Sequence, residues 1–171
     1  MNPENLRRVR NDPATNRLSF LDDVIKYNKG TTMDISSAQQ AALENLKLKH
    51  DLRLILLFGS QAGGGIHADS DLDIAVQTRM GGGLSTQAWL DLLDGLRNIF
   101  PGQSVDLAVV DRADPLFLKQ ITGRCALLAG RERDYHELRL YAYRRYQDHK
   151  PYLAMERRFV ENLVRPRVTG G

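Results

Sequence analysis

Apolar and polar residues alternate in two short segments near the middle of the chain. In DLDIAVQT (71–78) both aspartates share one face with Ala75, and in SVDLAVV (104–110) Asp106 shares a face with Ala108. The residues between them are apolar. This two-residue period predicts strands that have one apolar face and one face of carboxylates and small side chains.

Two further strands and five helices are predicted around these segments. LRLILLF (52–58) is a continuous apolar run and predicts a buried strand, while CALLAG (125–130) predicts an edge strand. Capping residues set the helix starts, namely serines at 36–37 and 85 and the pair Asp114–Pro115. The predicted helices are 36–50, 85–99, a short helix from 114, 132–148 and 151–164, the last two being divided at Pro151.

The chain has 171 residues, which fits one domain with short extensions. Residues 1–34 carry few apolar residues at any consistent spacing, so we expect a flexible leader there. The strands and first helices fall in 35–130, the expected core, and 131–171 is the expected C-terminal helical extension. Strands and helices in this arrangement predict an α+β fold.

Composition excludes several classes of protein. With 42% hydrophobic and 26% charged residues, the chain is not of the disordered type. A single cysteine rules out an internal disulfide, and no apolar run reaches bilayer length, so a cytoplasmic protein without a membrane partner is expected. The net charge is +3, and the residues from 131 onward hold ten Lys or Arg against six Asp or Glu. This basic tail suits either nucleic acid or an acidic protein partner.

The carboxylates on the two alternating strands indicate a metal site. If the strands pair, Asp71, Asp73 and Asp106 meet in one patch, where their mutual repulsion calls for a divalent cation. Asp71 and Asp73 lie about 6.6 Å apart along a strand, so both can bind one Mg²⁺ at about 2.0–2.1 Å. Asp106 permits a second ion about 3.5–4 Å away, as in two-metal phosphoryl transfer. We therefore predict that these three aspartates are catalytic Mg²⁺ ligands.

The loop ahead of these strands predicts a phosphate site. Gly59 and Ser60 follow the buried strand, where a backbone without a side chain lets a phosphate approach closely. Backbone N–H groups and the Ser60 hydroxyl can donate to the β- and γ-phosphates of a nucleoside triphosphate. A Gly-rich loop alone is more often a plain connection, and a lone Asp-x-Asp is more often a solvated strand edge. Gly-Ser followed after ten residues by Asp-x-Asp is far more specific, and it predicts nucleotide binding at Gly59 and Ser60 with a catalytic role for Ser60.

The segment GSQAGGGIHADSDLDIAV (59–76) resembles the signature of the DNA polymerase β-like nucleotidyltransferase superfamily. In that signature Gly-Ser, a ten-residue gap and Asp-x-Asp are followed by an aspartate on a third strand, here Asp106. The tail LYAYRRYQDHKPYLAMERRFVENLV (140–164) and the short chain resemble the minimal nucleotidyltransferase (MntA-like) antitoxins encoded beside HEPN-domain toxins.

The resemblance implies a fold and a function. The fold is a small mixed β-sheet with helices on one face, followed by C-terminal helices. The function is Mg²⁺-dependent transfer of AMP from ATP to a tyrosine of a cognate HEPN ribonuclease toxin, in a complex with that toxin. One position departs from the family pattern, because Gly63 stands where many relatives carry arginine. If that arginine contacts nucleotide or target, this chain binds it more weakly or uses another cation.

Three alternatives remain open at this point. The basic tail favours nucleotidyl transfer to RNA, in particular to a tRNA 3′ end. The missing arginine favours an antitoxin that acts by binding alone and keeps only a vestigial site. The third alternative is a small-molecule transferase of the aminoglycoside-modifying kind, although such an enzyme generally needs a second domain to enclose its substrate, for which the 171 residues are too few.

Overall fold

The computed structural model describes residues 35–60, 62 and 71–164. The leader predicted for residues 1–34 lies outside the described residues. All four predicted strands are confirmed to within one residue at each end. The elements are α1 (Ser37–Lys49), β1 (Leu52–Phe58), β2 (Leu72–Thr78), α2 (Thr86–Ile99), β3 (Val105–Val109), α3 (Pro115–Gly123), β4 (Cys125–Gly130) and α4 (Glu132–Val164).

The strands form one mixed sheet in the order β3-β2-β1-β4. β1 is antiparallel to both β2 and β4, whereas β2 and β3 are parallel, with α2 connecting them. β4 is an edge strand, as predicted. The parallel register pairs Asp73 with Asp106. The strand pairing that the predicted carboxylate patch requires is therefore confirmed.

Apolar side chains are buried on both faces of the sheet. On one face α1 and α2 pack against Leu72, Ile74 and Val76 of β2 and their neighbours. On the other face α3 and the N-terminal part of α4 pack against β1 and Ala75. The predicted α+β class and mixed sheet are confirmed. Helices were expected on one face of the sheet, whereas α1 and α2 pack on one face and α3 and the N-terminal part of α4 pack on the other.

Helix starts lie at the predicted caps. The Ser36 hydroxyl accepts from the Gln39 backbone N–H, while the Gln39 side chain accepts from the Ser36 N–H, which forms a capping box. Asp114 caps α3, with Pro115 in its first turn. α3 packs through Leu118 and Ile121 on the sheet face that also carries Ala75.

The C-terminal region contains one helix where two were predicted. α4 continues from Glu132 to Val164 through Pro151, so the predicted division at Pro151 is wrong. Proline removes the N–H that would bond to the Gln147 carbonyl, and its ring crowds that carbonyl, which often kinks a helix without ending it. Most residues around Pro151 are exposed, so water can hydrate that carbonyl and the helix continues. No helix in the described part of the chain is long and apolar enough to span a bilayer.

Candidate active site

The predicted site residues lie at one end of the sheet. Phe58, the last residue of β1, is paired with Asp73 near the start of β2, and Asp73 is paired with Asp106 near the start of β3. Paired residues in neighbouring strands point to the same face. The Asp73 and Asp106 side chains therefore share the face on which α3 packs, on strands about 4.8 Å apart.

The three aspartates interact electrostatically. Asp71 and Asp106 are exposed, whereas Asp73 between them is half-buried. Burial raises the pKa of Asp73 above its ordinary value, and the negative charges of Asp106 and Asp71 raise it further. The structure thus brings all three predicted carboxylates close enough to influence one another.

The donor chemistry of this patch fits Mg²⁺, because carboxylate oxygens are the protein ligands that Mg²⁺ prefers. Among residues 35–60, 62 and 71–164, however, no three His, Cys, Asp or Glu side chains are already gathered closely enough to hold a metal ion. Carboxylates of like charge repel one another, and a divalent cation is the group that would draw them together. The residue types and their register agree with the predicted metal site, which stays a prediction.

Gly59 is required at its position by the neighbouring carboxylate. Its φ of +76° lies in the left-handed region, and a Cβ placed on it would overlap the carboxylate of Asp73. Sequence reasoning assigned this glycine to phosphate approach alone. The contact with Asp73 links the Gly-Ser pair directly to the aspartates and was not foreseen.

Ser60 opens onto a cleft beside the aspartates. The cleft has a volume of about 730 Å³ and lies between the end of β1 and α3. Its lining includes Gly59, Ser60 and the aromatic ring of Phe117, and the Ser60 side chain is exposed. A concave, partly apolar cleft of this size suits a ligand as large as a nucleotide. Gln61 and residues 63–70, which include Gly63, lie outside the described residues.

Two cations that sequence reasoning missed line the same cleft. Lys119 comes from α3, and Arg124 comes from the junction of α3 and β4. Neither residue belongs to a motif near Gly59 in the sequence, because only the tertiary fold brings α3 there. The one available signal was the predicted strand at 125–130, which would place Arg124 beside Gly59 if that strand paired with 52–58.

Comparison with protein families agrees with this geometry. Residues 40–134 match the family described as Polymerase beta, Nucleotidyltransferase, and the chain belongs to that family. The resemblance predicted from 59–76 is thereby confirmed. No curated protein sequence matches the chain.

Solved structures with the same fold come from toxin–antitoxin complexes. A chain of a toxin–antitoxin complex crystallised with AMP-PNP is 27% identical, with a TM-score of 0.58, and the match covers 73% of this chain and 97% of that one. A chain of the MntA–HepT toxin–antitoxin complex is 24% identical, with a TM-score of 0.54 and coverage of 75% and 98%. A chain of the complex between the tri-AMPylated HEPN toxin of Shewanella oneidensis and MNT antitoxin is also 24% identical, with a TM-score of 0.54 and coverage of 74% and 96%. A chain of a mutant MntA–HpeT toxin–antitoxin complex is 25% identical, with a TM-score of 0.57 and coverage of 73% and 97%, and the predicted resemblance to MntA-like nucleotidyltransferase antitoxins is confirmed.

Proposed function

We propose that this protein is an antitoxin that transfers AMP from ATP to a tyrosine of a cognate HEPN-domain ribonuclease toxin. The observation that carries the proposal is the placement of Gly59 and Ser60 between the paired aspartates and a nucleotide-sized cleft. Two similar complexes support the proposed donor and acceptor, since one contains the ATP analogue AMP-PNP and another contains an AMPylated HEPN toxin.

Each residue of the site has a defined task in this proposal. The Ser60 hydroxyl and neighbouring backbone N–H groups donate to the β- and γ-phosphates, which orients the triphosphate. Asp71, Asp73 and Asp106 would hold Mg²⁺, which would supply positive charge to the triphosphate and lower the pKa of the attacking hydroxyl. Asp106 lies on edge strand β3, where an acceptor has access from solvent.

The reaction is a substitution at the α-phosphorus. The phenolic oxygen of the acceptor tyrosine forms a bond to the α-phosphorus, and the bond to the oxygen bridging the α- and β-phosphorus breaks. Pyrophosphate leaves with that electron pair, and the phenolic proton is released. Phe117, 38% exposed in the cleft wall, offers an aromatic surface on which a base can stack.

Labelled nucleotides test the proposal directly. The protein, Mg²⁺ and each of the four α-³²P nucleoside triphosphates are incubated with the cognate HEPN toxin or with deproteinised tRNA. We expect α-³²P label from ATP to appear on the toxin. ATP labelled at the γ-phosphate should leave the toxin unlabelled, because the γ-phosphate departs with pyrophosphate. A toxin that is bound but never labelled would favour the binding-only alternative.

Transfer to tRNA is the second candidate, and one surface favours it. Lys150, Arg157 and Arg158 line a groove of about 480 Å³ along α4, and this groove shares Leu116 with the cleft. Replacing both arginines with glutamate separates the two acceptors. If the double variant loses tRNA binding but still labels the toxin normally, the toxin remains the acceptor. If the wild type labels tRNA and the double variant does not, RNA modification is favoured.

A further inference from the structure

Arg124 lies beside Gly59 across the antiparallel pair of β1 and β4. The register pairs Phe58 with Cys125, so the next residue along β1, Gly59, is opposite the residue before β4, Arg124. Cα atoms of opposed residues in antiparallel strands are about 4.5–5.5 Å apart. Arg124 therefore joins the Gly-Ser pair from the side opposite Asp73, which is the partner of Phe58 on β2.

The Arg124 side chain is available for a ligand. It is exposed and lines the cleft with Ser60, and within the described part of the chain it makes no hydrogen bond or ion pair. Lys119, the other cation of this cleft, already lies over the ring of Tyr146, with Nζ 3.9 Å from the ring centroid. Among the described residues that line the cleft, Arg124 is thus the cation whose charge is not engaged by another side chain.

The C-terminal end of α3 favours a cation in the cleft if the cleft binds an anion. α3 ends at Gly123, so its last carbonyl groups place partial negative charge at this end of the cleft. An anion in the cleft would be repelled by these carbonyls and by the aspartates. A guanidinium offsets both effects, and its fork of N–H donors matches phosphate oxygens in bidentate geometry.

We propose that Arg124 binds the β- and γ-phosphates of the nucleoside triphosphate, an inference that rests on the proposed nucleotidyl transfer. Gly59 and Ser60 approach these phosphates through backbone and hydroxyl donors, and Arg124 adds a positive charge that neither of these two residues carries. It is a binding residue for the leaving pyrophosphate group and does not select the base.

Binding measurements on the whole protein test this role. Isothermal titration with ATP or AMP in the presence of Mg²⁺ is carried out for Arg124→Ala, Arg124→Lys and the control Arg112→Ala. Arg112 is exposed beyond the far end of β3, away from the cleft. We expect Arg124→Ala to weaken ATP binding about 10- to 100-fold, the range for lost hydrogen bonds to a charged group. AMP lacks the two phosphates, so its affinity should stay within about 2-fold.

The remaining variants complete the test. Arg124→Lys keeps the charge without the fork, so its ATP affinity should lie between those of wild type and Arg124→Ala, and Arg112→Ala should be unchanged. If the wild type binds ATP and Arg124→Ala binds it equally well, the role of Arg124 is overturned while the proposed function stands. Equal weakening of ATP and AMP binding would also overturn it. A wild type that binds no nucleoside triphosphate contradicts the proposed function itself.

Discussion

At the scale of single residues, Gly59 joins the two halves of the candidate site. Its left-handed backbone turns the chain out of β1, and its missing side chain leaves room for the Asp73 carboxylate. Any side chain at this position would displace the carboxylate, strain the turn, or both. A change at Gly59 therefore affects the aspartates as well as the loop.

Gly59→Ala should abolish nucleotidyl transfer and destabilise the protein by about 1–3 kcal/mol, because left-handed backbone strain and overlap with Asp73 add together. The matched control is Gly102→Ala, since Gly102 has a φ of +82° but a Cβ added there would meet no atom within 4 Å. The control should lose stability through strain alone and keep its activity. Equal activity of both variants would contradict the account of Gly59.

Ser60 provides a second prediction at this scale. Ser60→Ala should cost about 1–3 kcal/mol of ATP binding or transition-state stabilisation, as expected for a hydrogen bond to a charged group. Its side chain is exposed, so the melting temperature should not change. Ser60→Thr restores the hydroxyl and should recover most of the activity. An unchanged rate and ATP affinity in Ser60→Ala would show that backbone donors alone hold the phosphates.

At the scale of elements, an ion-pair cluster attaches α4 to the sheet. Asp134 in the first turn of α4 is 4% exposed at its side chain and accepts from Arg131 Nε at 2.7 Å and from Arg53 Nη2 of β1 at 2.8 Å. Hydrogen bonding from Arg131, then from Arg53, lowers the pKa of Asp134 from 3.8 to about 2. The ionised form is thus favoured in the folded state.

The Asp134 cluster should make stability depend on acid pH. Since its folded pKa lies below the unfolded value of 3.8, its stabilisation is present in full above that value and is lost as the pH falls towards about 2. Asp134→Asn should cost about 1–3 kcal/mol at neutral pH, and the difference from wild type should shrink in acid. Urea unfolding across this pH range measures it, with the exposed Asp148→Asn as the control. A constant difference at every pH would exclude this linkage.

The C-terminal half of α4 carries an apolar stripe that the core does not cover. Tyr152, Met155, Phe159 and Leu163 are 59%, 65%, 65% and 68% exposed. These residues recur at i, i+3, i+7 and i+11, a helical spacing that is consistent either with closing the core or with docking a helical partner. In this chain it does not close the core, so docking of the proposed toxin is the interpretation that its exposure favours.

Replacing Met155 and Phe159 with glutamate should leave the melting temperature unchanged, because both side chains are already solvated, and should weaken toxin binding by more than about 2 kcal/mol. Met80→Glu is the matched control, since Met80 is 86% exposed in the loop after β2. Pull-down of the toxin with each variant measures the effect. Normal capture by the double variant would place the interface elsewhere.

At the scale of the whole molecule, local patterns predicted the strands better than the C-terminal helix. The apolar run at 52–58 and the Asp-bearing alternation at 71–78 each lie within one strand, so the local pattern predicts them. The parallel pairing of Asp73 with Asp106 was only a condition of the predicted carboxylate patch, and the structure supplies it. The effect of Pro151 depends on how much water surrounds α4, which a local rule does not include.

Contacts between distant segments could not be read from the sequence. The overlap between Gly59 and Asp73 depends on the register of β1 and β2, and the position of Arg124 depends on the pairing of β1 with β4. In the proposed function Arg124, which lines the cleft from a different element, would be the other cation that the glycine at position 63 calls for. The division into a core at 35–130 and a helical extension stays a proposal, since α4 contributes Tyr135 and Leu138 to a core cluster.

The most direct test of the central claim replaces both Asp71 and Asp73 with asparagine and measures transfer of α-³²P label from ATP to the toxin in the presence of Mg²⁺. The exposed Asp94→Asn variant serves as the control. We predict that the double variant folds, with an apo melting temperature equal to or above wild type because carboxylate repulsion is removed, and transfers no label, while the control transfers normally. Label transfer by the folded double variant at the wild-type rate would contradict the account.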